Sequence, residues 1–260
     1  VIIFVMKKNI IKCFNESKYY SIKDKSYFPI YEDLLSKFRN KKVVLVEVGV
    51  SGGGSLFMWK NFLGKKAKVI GIDANPECKY FEKYGFNIEI GDQASESFWK
   101  NFYKKYKNID ILIDDGGHRN DQQIITTLQS AKYINNSGLI IVEDVGTSYM
   151  KKFGNPSKYS FMNYSKKIID DLFVKFSLVS KRNYSLSKYV YSIKFYGAVV
   201  CFEIDKNLVK KRGPIDNKKR HLNFKDYRNF DAKKNIIKRI KTFFHIKNSS
   251  SIKYLEKFFT

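Results

Sequence analysis

From Val43 onward, short apolar runs alternate with stretches whose apolar residues recur at helical spacing. That is the pattern of β-α units that build a parallel sheet. VVLVEVG (Val43 to Gly49) predicts a first strand, Ser55 to Leu63 a helix, Lys68 to Asp73 a second strand, and Pro76 to Tyr84 a helix with proline suitably placed in its first turn. Asn87 to Ile90 predicts a third strand, Ser95 to Tyr106 a helix with Phe98, Trp99, Phe102 and Tyr106 near one face, and Ile109 to Asp114 a fourth strand. A helix over Asn120 to Tyr133 and a fifth strand over Gly138 to Glu143 follow. After Asp144 a loop to Tyr159 breaks the alternation, and Phe161 to Phe176 resumes the helical pattern. Two closing runs, Tyr189 to Phe195 and Ala198 to Ile204, are separated only by Tyr196-Gly197 and predict an antiparallel hairpin. The sum is an α/β fold with seven strands, mostly parallel and ending in a hairpin, with helices on both faces.

This pattern divides the chain into residues 1–42, a helical or irregular N-terminal extension; 43–205, the sheet domain; and 206–260, a basic, partly helical C-terminal extension. A chain of 260 residues buries enough apolar surface to fold without staples. Cys13, Cys78 and Cys201 are odd in number and lack metal-type spacing, which argues against a disulfide framework and for a reducing, cytoplasmic setting. The opening VIIFVMKKNIIKCF is too short an apolar run to span a bilayer, and no small-residue cleavage site follows it.

The net charge is +24, about half of it in the last 55 residues. Such a balance ordinarily points to nucleic acid or an anionic membrane. Here lysine is frequent together with Asn, Ile, Phe and Tyr, as a coding bias towards A and T produces, and no RNA-binding module is recognisable, so nucleic acid is disfavoured. Ala232 to Ile246 sets Ile236, Ile237, Ile240, Phe243 and Phe244 along one helical face opposite lysines. Such a helix packs on the core, on a second copy of the chain, or weakly on a membrane surface.

The chemistry concentrates where apolar runs end. Asp114-Asp115-Gly116-Gly117-His118 follows the fourth strand and Glu143-Asp144 the fifth, so carboxylates and one imidazole can meet at a single sheet edge. Hard divalent cations take oxygen ligands, so this is the composition of a metal site with a base beside it. Two adjacent buried acids repel, and a cation is the simplest relief. Between the first strand and first helix, Glu47-Val48-Gly49-x-x-Gly52-Gly53-Gly54-Ser55 offers close backbone approach and a helix N-terminus to an anionic ligand. Asp73 ends the second strand about two dozen residues after Gly49, where a carboxylate can accept ribose hydroxyls, and Asp92 stands where an adenine amino group would arrive.

The glycine spacing departs from the dinucleotide fingerprint and resembles motif I of the class I S-adenosylmethionine-dependent methyltransferases, a Rossmann-like family whose seven-stranded sheet ends in an antiparallel hairpin. The resemblance covers about Val43 to Ile204 and implies that Glu47, Gly49, Gly53 and Ser55 line the methionine moiety of S-adenosylmethionine, Asp73 the ribose, and Asp92 with Gln93 the adenine. Asp114 is expected at the methionine end of the cofactor or as a helix cap. Asp115-Gly116-Gly117-His118 followed by Glu143-Asp144 resembles the metal-dependent sugar O-methyltransferases of the macrocin and mycinamicin type, departing from their usual Asp-Gly-Ser-His only at Gly117. That likeness implies Asp115, Glu143 and Asp144 as Mg²⁺ ligands and His118 as general base. The chemistry is coherent, since a sugar hydroxyl has a pKa far above neutrality and gains from proton removal as it attacks a sulfonium methyl.

The acceptor is then a sugar hydroxyl in a glycan or glycosylated compound. Thr147, Ser148 and Tyr149, in the loop beside the acids, are expected to meet it. The competing readings are a catechol-type O-methyltransferase, an RNA methyltransferase, and a basic protein binding nucleic acid or membrane.

Overall fold

The computed structural model describes residues 9–153, 158–174, 186–211 and 215–220. It divides into two units, Val1–Gly213 and Pro214–Thr260. In the second, the described residues 215–220 form no helix or strand, and the amphipathic stretch Ala232 to Ile246 lies outside the described residues. Among the described residues no helix is long and apolar enough to cross a membrane.

In the first unit the strands are β1 (Val44–Val48), β2 (Lys68–Asp73), β3 (Asn87–Ile90), β4 (Ile109–Asp114), β5 (Ile134–Val142), β6 (Val190–Phe195) and β7 (Val200–Ile204). They form one sheet in the order β3-β2-β1-β4-β5-β7-β6. The first five run parallel, and β7 pairs antiparallel with both β5 and β6. The expected α/β sheet with its terminal hairpin is present. The helices are α1 (Ile10–Asn15), α2 (Tyr27–Leu35), α3 (Gly54–Leu63), α4 (Glu96–Lys105), α5 (Asn120–Ser130), α6 (Phe161–Val174) and α7 (Lys206–Lys210).

Successive side chains of a strand point to opposite faces, and two cores result. Leu45, Val69, Ile111, Ile113, Leu139 and Ile141 pack with residues of α1, α2 and α3. Val46, Val48, Ile70, Ile72, Leu112, Ile140 and Val142 pack with residues of α4 and α6. Both faces are covered, as the near-continuous apolar runs of a parallel sheet require.

Two elements differ from the sequence expectation. Pro76–Tyr84 is a run of 3₁₀ turns rather than an α-helix. Its buried residues, Cys78 and Phe81, are three apart, and side chains at i and i+3 eclipse at that period. β5 starts at Ile134, four residues early, because Ile134 already pairs with Ile109 before the register shifts. The N-terminal segment is not a separate appendage. Buried Tyr31, Leu34 and Leu35 of α2 share a core with Trp59 and Leu63 of α3.

Candidate active site

The strand alternation that builds the core also selects the acids. Leu45, Ile113 and Ile141 face the α1–α3 side, so the next residues in the same phase, Glu47 on β1, Asp115 just past β4 and Glu143 just past β5, emerge on that side of three neighbouring strands. Glu47 and Glu143 are fully buried. Glu47 accepts from Ser55 Oγ at 2.7 Å and Trp59 Nε1 at 2.8 Å, and Glu143 Oε1 accepts from the Tyr31 hydroxyl at 2.7 Å.

Into this group comes a residue from the segment between α1 and α2. The Lys23 ammonium donates to Asp115 Oδ2 at 2.5 Å and to Glu143 Oε2 at 2.9 Å, and lies 3.9 Å from Glu47 Oε1. Its side chain is 2% exposed. Burial works against the ammonium's charge, but Glu143, Asp115 and Glu47 carry its pKa above the usual lysine value. For the acids burial dominates. It pushes Glu47 up to about 7 and Glu143 up to about 8 against the pull of Lys23. Asp114 rises to about 6 by burial, against its bonds from Gln93 and Gly116. One lysine is too little positive charge for these carboxylates.

His118 and Asp144 both sit in the left-handed backbone region, at φ 56° and 53°. That conformation is uncommon for residues other than glycine and clusters at functional sites. The Thr147 hydroxyl lies 2.9 Å from both of their carbonyl oxygens and ties the two turns together. His118 Nε2 is 3.5 Å from Asp144 Oδ2, and the Tyr27 hydroxyl donates to Asp144 Oδ1. Asp115, His118 and Asp144 each bring one donor atom within 4.8 Å of the others. Two carboxylates fit a hard divalent cation, with one imidazole beside them.

Two adjoining cavities of about 400 and 300 Å³ run along the carboxyl ends of the strands and share Gly49, Ser51, Asp115 and Gly116. They lie at the switch between β2-β1 and β4-β5, where open α/β sheets bind their ligands. Asp73, Asp92 and Gln93 line the smaller one; Ser55, Asp115, His118, Glu143 and Asp144, with Lys23 and Tyr27, line the larger. Asp73 Oδ2 accepts from the backbone of Val50 and Ser51 at 2.8 and 2.9 Å, which draws the glycine loop over the strand ends.

No protein-family model matches the chain. It is 29% identical over 157 residues to 8-demethyl-8-alpha-L-rhamnosyl tetracenomycin-C 2'-O-methyltransferase of Streptomyces olivaceus, covering 56% of this chain and 41% of that protein. It is 31% identical over 135 residues to mycinamicin VI 2''-O-methyltransferase of Micromonospora griseorubida, covering 49% and 33%. The MycE methyltransferase of the mycinamycin biosynthetic pathway, solved in complex with Mg and SAH, superposes with a TM-score of 0.63 at 27% identity over 69% of this chain and 49% of that one. Over about half of its length the chain is thus similar in sequence to proteins named as sugar O-methyltransferases. Its fold is that of the class I S-adenosylmethionine-dependent methyltransferases, and it spans well under half the length of the curated relatives it matches.

Against that relationship, the residues expected at the site fall into three groups. Asp115, His118 and Asp144 converge, while Glu143, expected as a third metal ligand, points its two oxygens at Lys23 and Tyr31. Gly49, Ser55, Asp73 and Asp92 line the crevice. Others are committed to the protein itself. Glu47 lies beneath the crevice, bonded to Ser55 and Trp59. The Gln93 amide donates to Asp114 Oδ1 and Thr126 and accepts from Gly117, so a residue that lines the smaller cavity also braces the loop after β4. Asp114 faces that brace and not the larger cavity. Thr147 and Ser148, expected at the acceptor, are turned inward. Thr147 ties His118 to Asp144, and Ser148 Oγ bonds Asn120 and the backbone of Met162. Tyr149 is exposed.

The glycines also have a second explanation. A Cβ on Gly49, whose φ is +93°, would stand 2.1 Å from the Asp115 carbonyl, and one on Gly54 would stand 2.2 Å from that of Tyr19. The close approach that the sequence suggested is thus made in part by the chain's own backbone. Lys23, Tyr27 and Tyr31 were invisible in the sequence. Their spacing marks at most one face of an N-terminal helix, and nothing in it points to acids more than 80 residues away.

Proposed function

We propose that this protein is a divalent-ion-dependent O-methyltransferase that moves the methyl group of S-adenosylmethionine to a sugar hydroxyl in a glycan or glycosylated compound. The observation that carries the reading is the convergence of Asp115, His118 and Asp144 in a crevice continuous with the glycine loop. The names of the relatives, which act on sugars of glycosylated compounds, support the acceptor class. The three cysteines are all buried, Cys78 and Cys201 as thiols, which accords with a reducing, cytoplasmic setting.

In this reading Asp73 and Asp92 hold the adenosine end of S-adenosylmethionine in the smaller cavity, and Gly49 and Ser55 border its methionine end, with Glu47 fixing Ser55 from below; Gly53, expected beside them, lines neither cavity and backs onto the Phe81 ring. Asp115 and Asp144 hold Mg²⁺, with Glu143 as a further ligand once Lys23 yields one of its oxygens. When bound, the ion supplies positive charge that orients the acceptor hydroxyl and makes it more acidic. His118 takes the hydroxyl proton at Nε2, the ring nitrogen on the Asp144 side. As the oxygen attacks, the sulfur–methyl bond breaks and its electron pair stays on sulfur. The strained turns at His118 and Asp144 and the Thr147 link hold base and ligand in one geometry, and that positioning lowers the barrier.

The test is calorimetric titration of Mg²⁺ into protein saturated with S-adenosylhomocysteine, with sugar and catechol acceptors then assayed for methylation. A metal isotherm in the wild type that is lost in Asp115→Ala, with sugar-selective turnover, is expected. His118→Ala should retain cofactor binding and lose about 10²–10⁴-fold in turnover. Cofactor binding without any metal isotherm overturns the metal role, and catechol selectivity overturns the acceptor.

A further inference from the structure

Lys23 is the least expected group in the site. Its ammonium touches Asp115 and Glu143, two of the three acids that the proposed function gives to the metal, and does so from a side chain that is 2% exposed. The segment that carries it is anchored at both ends. On one side, Ser17 Oγ donates to the Gly54 carbonyl, Gly54 N donates to the Tyr20 carbonyl at 3.0 Å, and the Tyr19 ring packs edge-on against Phe81. On the other, Tyr27 and Tyr31 of α2 bond to Asp144 and Glu143. Between these anchors Ile22, Asp24 and Lys25 are exposed, and Lys23 is the residue turned inward. An arch held at its feet can withdraw a single side chain without undoing either foot.

We propose that Lys23 is a resident cation that competes with the divalent ion for Asp115 and Glu143, and that metal binding expels it and loosens the arch over residues 21–25. The inference rests on the metal role given above. Lys23 holds Asp115 Oδ2 and Glu143 Oε2 at 2.5 and 2.9 Å, and because Glu143 Oε1 already accepts from Tyr31, Oε2 is the oxygen that an ion bound by Glu143 would take. An ammonium left between them would face a like charge in a desolvated pocket, where such repulsion is poorly screened. Without the ion, Lys23 offsets the repulsion between buried Glu143 and half-buried Asp115. The lysine thereby sets how tightly the metal is held, and the part of the cavity wall formed by Ser21 and Ile22 moves with it.

Two measurements test this on the full chain saturated with S-adenosylhomocysteine: Mg²⁺ affinity by calorimetry for wild type, Lys23→Met and Lys23→Arg, and amide hydrogen exchange of wild-type residues 18–26 with and without Mg²⁺. The expected result is at least about tenfold tighter Mg²⁺ binding in Lys23→Met, no gain in Lys23→Arg, and faster exchange in residues 21–25 of the wild type when Mg²⁺ is added. If Lys23→Met does not fold, the wild-type exchange experiment decides alone. Equal or weaker binding in a folded Lys23→Met, or an arch whose exchange is unchanged or slowed by Mg²⁺, overturns the competition and leaves Lys23 as a structural counter-ion. Metal binding with an unmoved arch refutes only this inference, whereas absence of any metal binding refutes the metal role as well.

Discussion

Replacing Thr147 by valine removes one oxygen and keeps the shape of the side chain. Thr147 is 7% exposed, and its hydroxyl lies 2.9 Å from the carbonyls of both His118 and Asp144. Valine leaves the His118 carbonyl without this donor in a buried place, a loss of about 1–3 kcal/mol, while the Asp144 carbonyl keeps the backbone N–H of residue 147. Each kcal/mol shifts the melting temperature of a domain of this size by about 2–4 °C, so a fall on the order of 5 °C is expected by thermal melting followed by circular dichroism. The two residues released are in left-handed turns at φ 56° and 53° and carry the proposed base and a proposed ligand. Relaxation of either turn misplaces the donor atoms, so turnover should fall about tenfold or more while affinity for S-adenosylhomocysteine holds. Thr147→Ser, which restores the oxygen, should recover most of both losses. A valine variant with wild-type melting temperature and turnover, or a serine variant as impaired as the valine one, would refute the reasoning.

Two further outcomes follow from the geometry. Gly49→Ala brings a Cβ to 2.1 Å from the Asp115 carbonyl at a φ of +93°, so it should destabilise the fold by more than about 1–3 kcal/mol and abolish Mg²⁺ binding; a stable, metal-binding variant would contradict the close approach. The folded-state values of Glu47 and Glu143, about 7 and about 8, lie above the ordinary value of 4.5 that applies when the chain is unfolded. Between these limits the folded protein holds protons that the unfolded chain has released, so stability falls as pH rises through that window. The metal-free protein should melt lower at pH 8.5 than at pH 5.5, and a melting temperature that rises over that range would contradict the shifts.

The sheet was legible because its signal is periodic and local. Five apolar runs alternate with helical patterns, and the pair around Tyr196-Gly197 has a hairpin's spacing, so the observed strands lie within a few residues of the expected ones. The acids were legible for a related reason. Asp115, Glu143 and Asp144 stand immediately after buried strands, and a strand end fixes where its next residue emerges. What the sequence did not reveal depends on contacts between distant segments. Lys23 is one of many lysines, and the anchoring of its segment on the glycine loop and of α2 on the acids brings it to them. Thr147 and Ser148 read as polar loop residues offered to a ligand. The turn that buries them is set by partners at His118 and Asn120, which no local spacing encodes.

The anchoring of residues 17–31 across the glycine loop and the acids changes where the working unit begins. A shortened chain starting at Val43, the natural cut if the sheet alone is counted, would keep Asp115, Glu143 and Asp144 and discard the ammonium and two phenols that partner them. It would also strip the backbone of Tyr19 and Tyr20 from Gly52 and Gly54, opening the loop meant to receive the cofactor. Alignments confined to strands and their ends will for the same reason record the negative half of this site and omit the positive half. For relatives of this chain, the segment ahead of the first strand is therefore the place to look for differences in metal requirement.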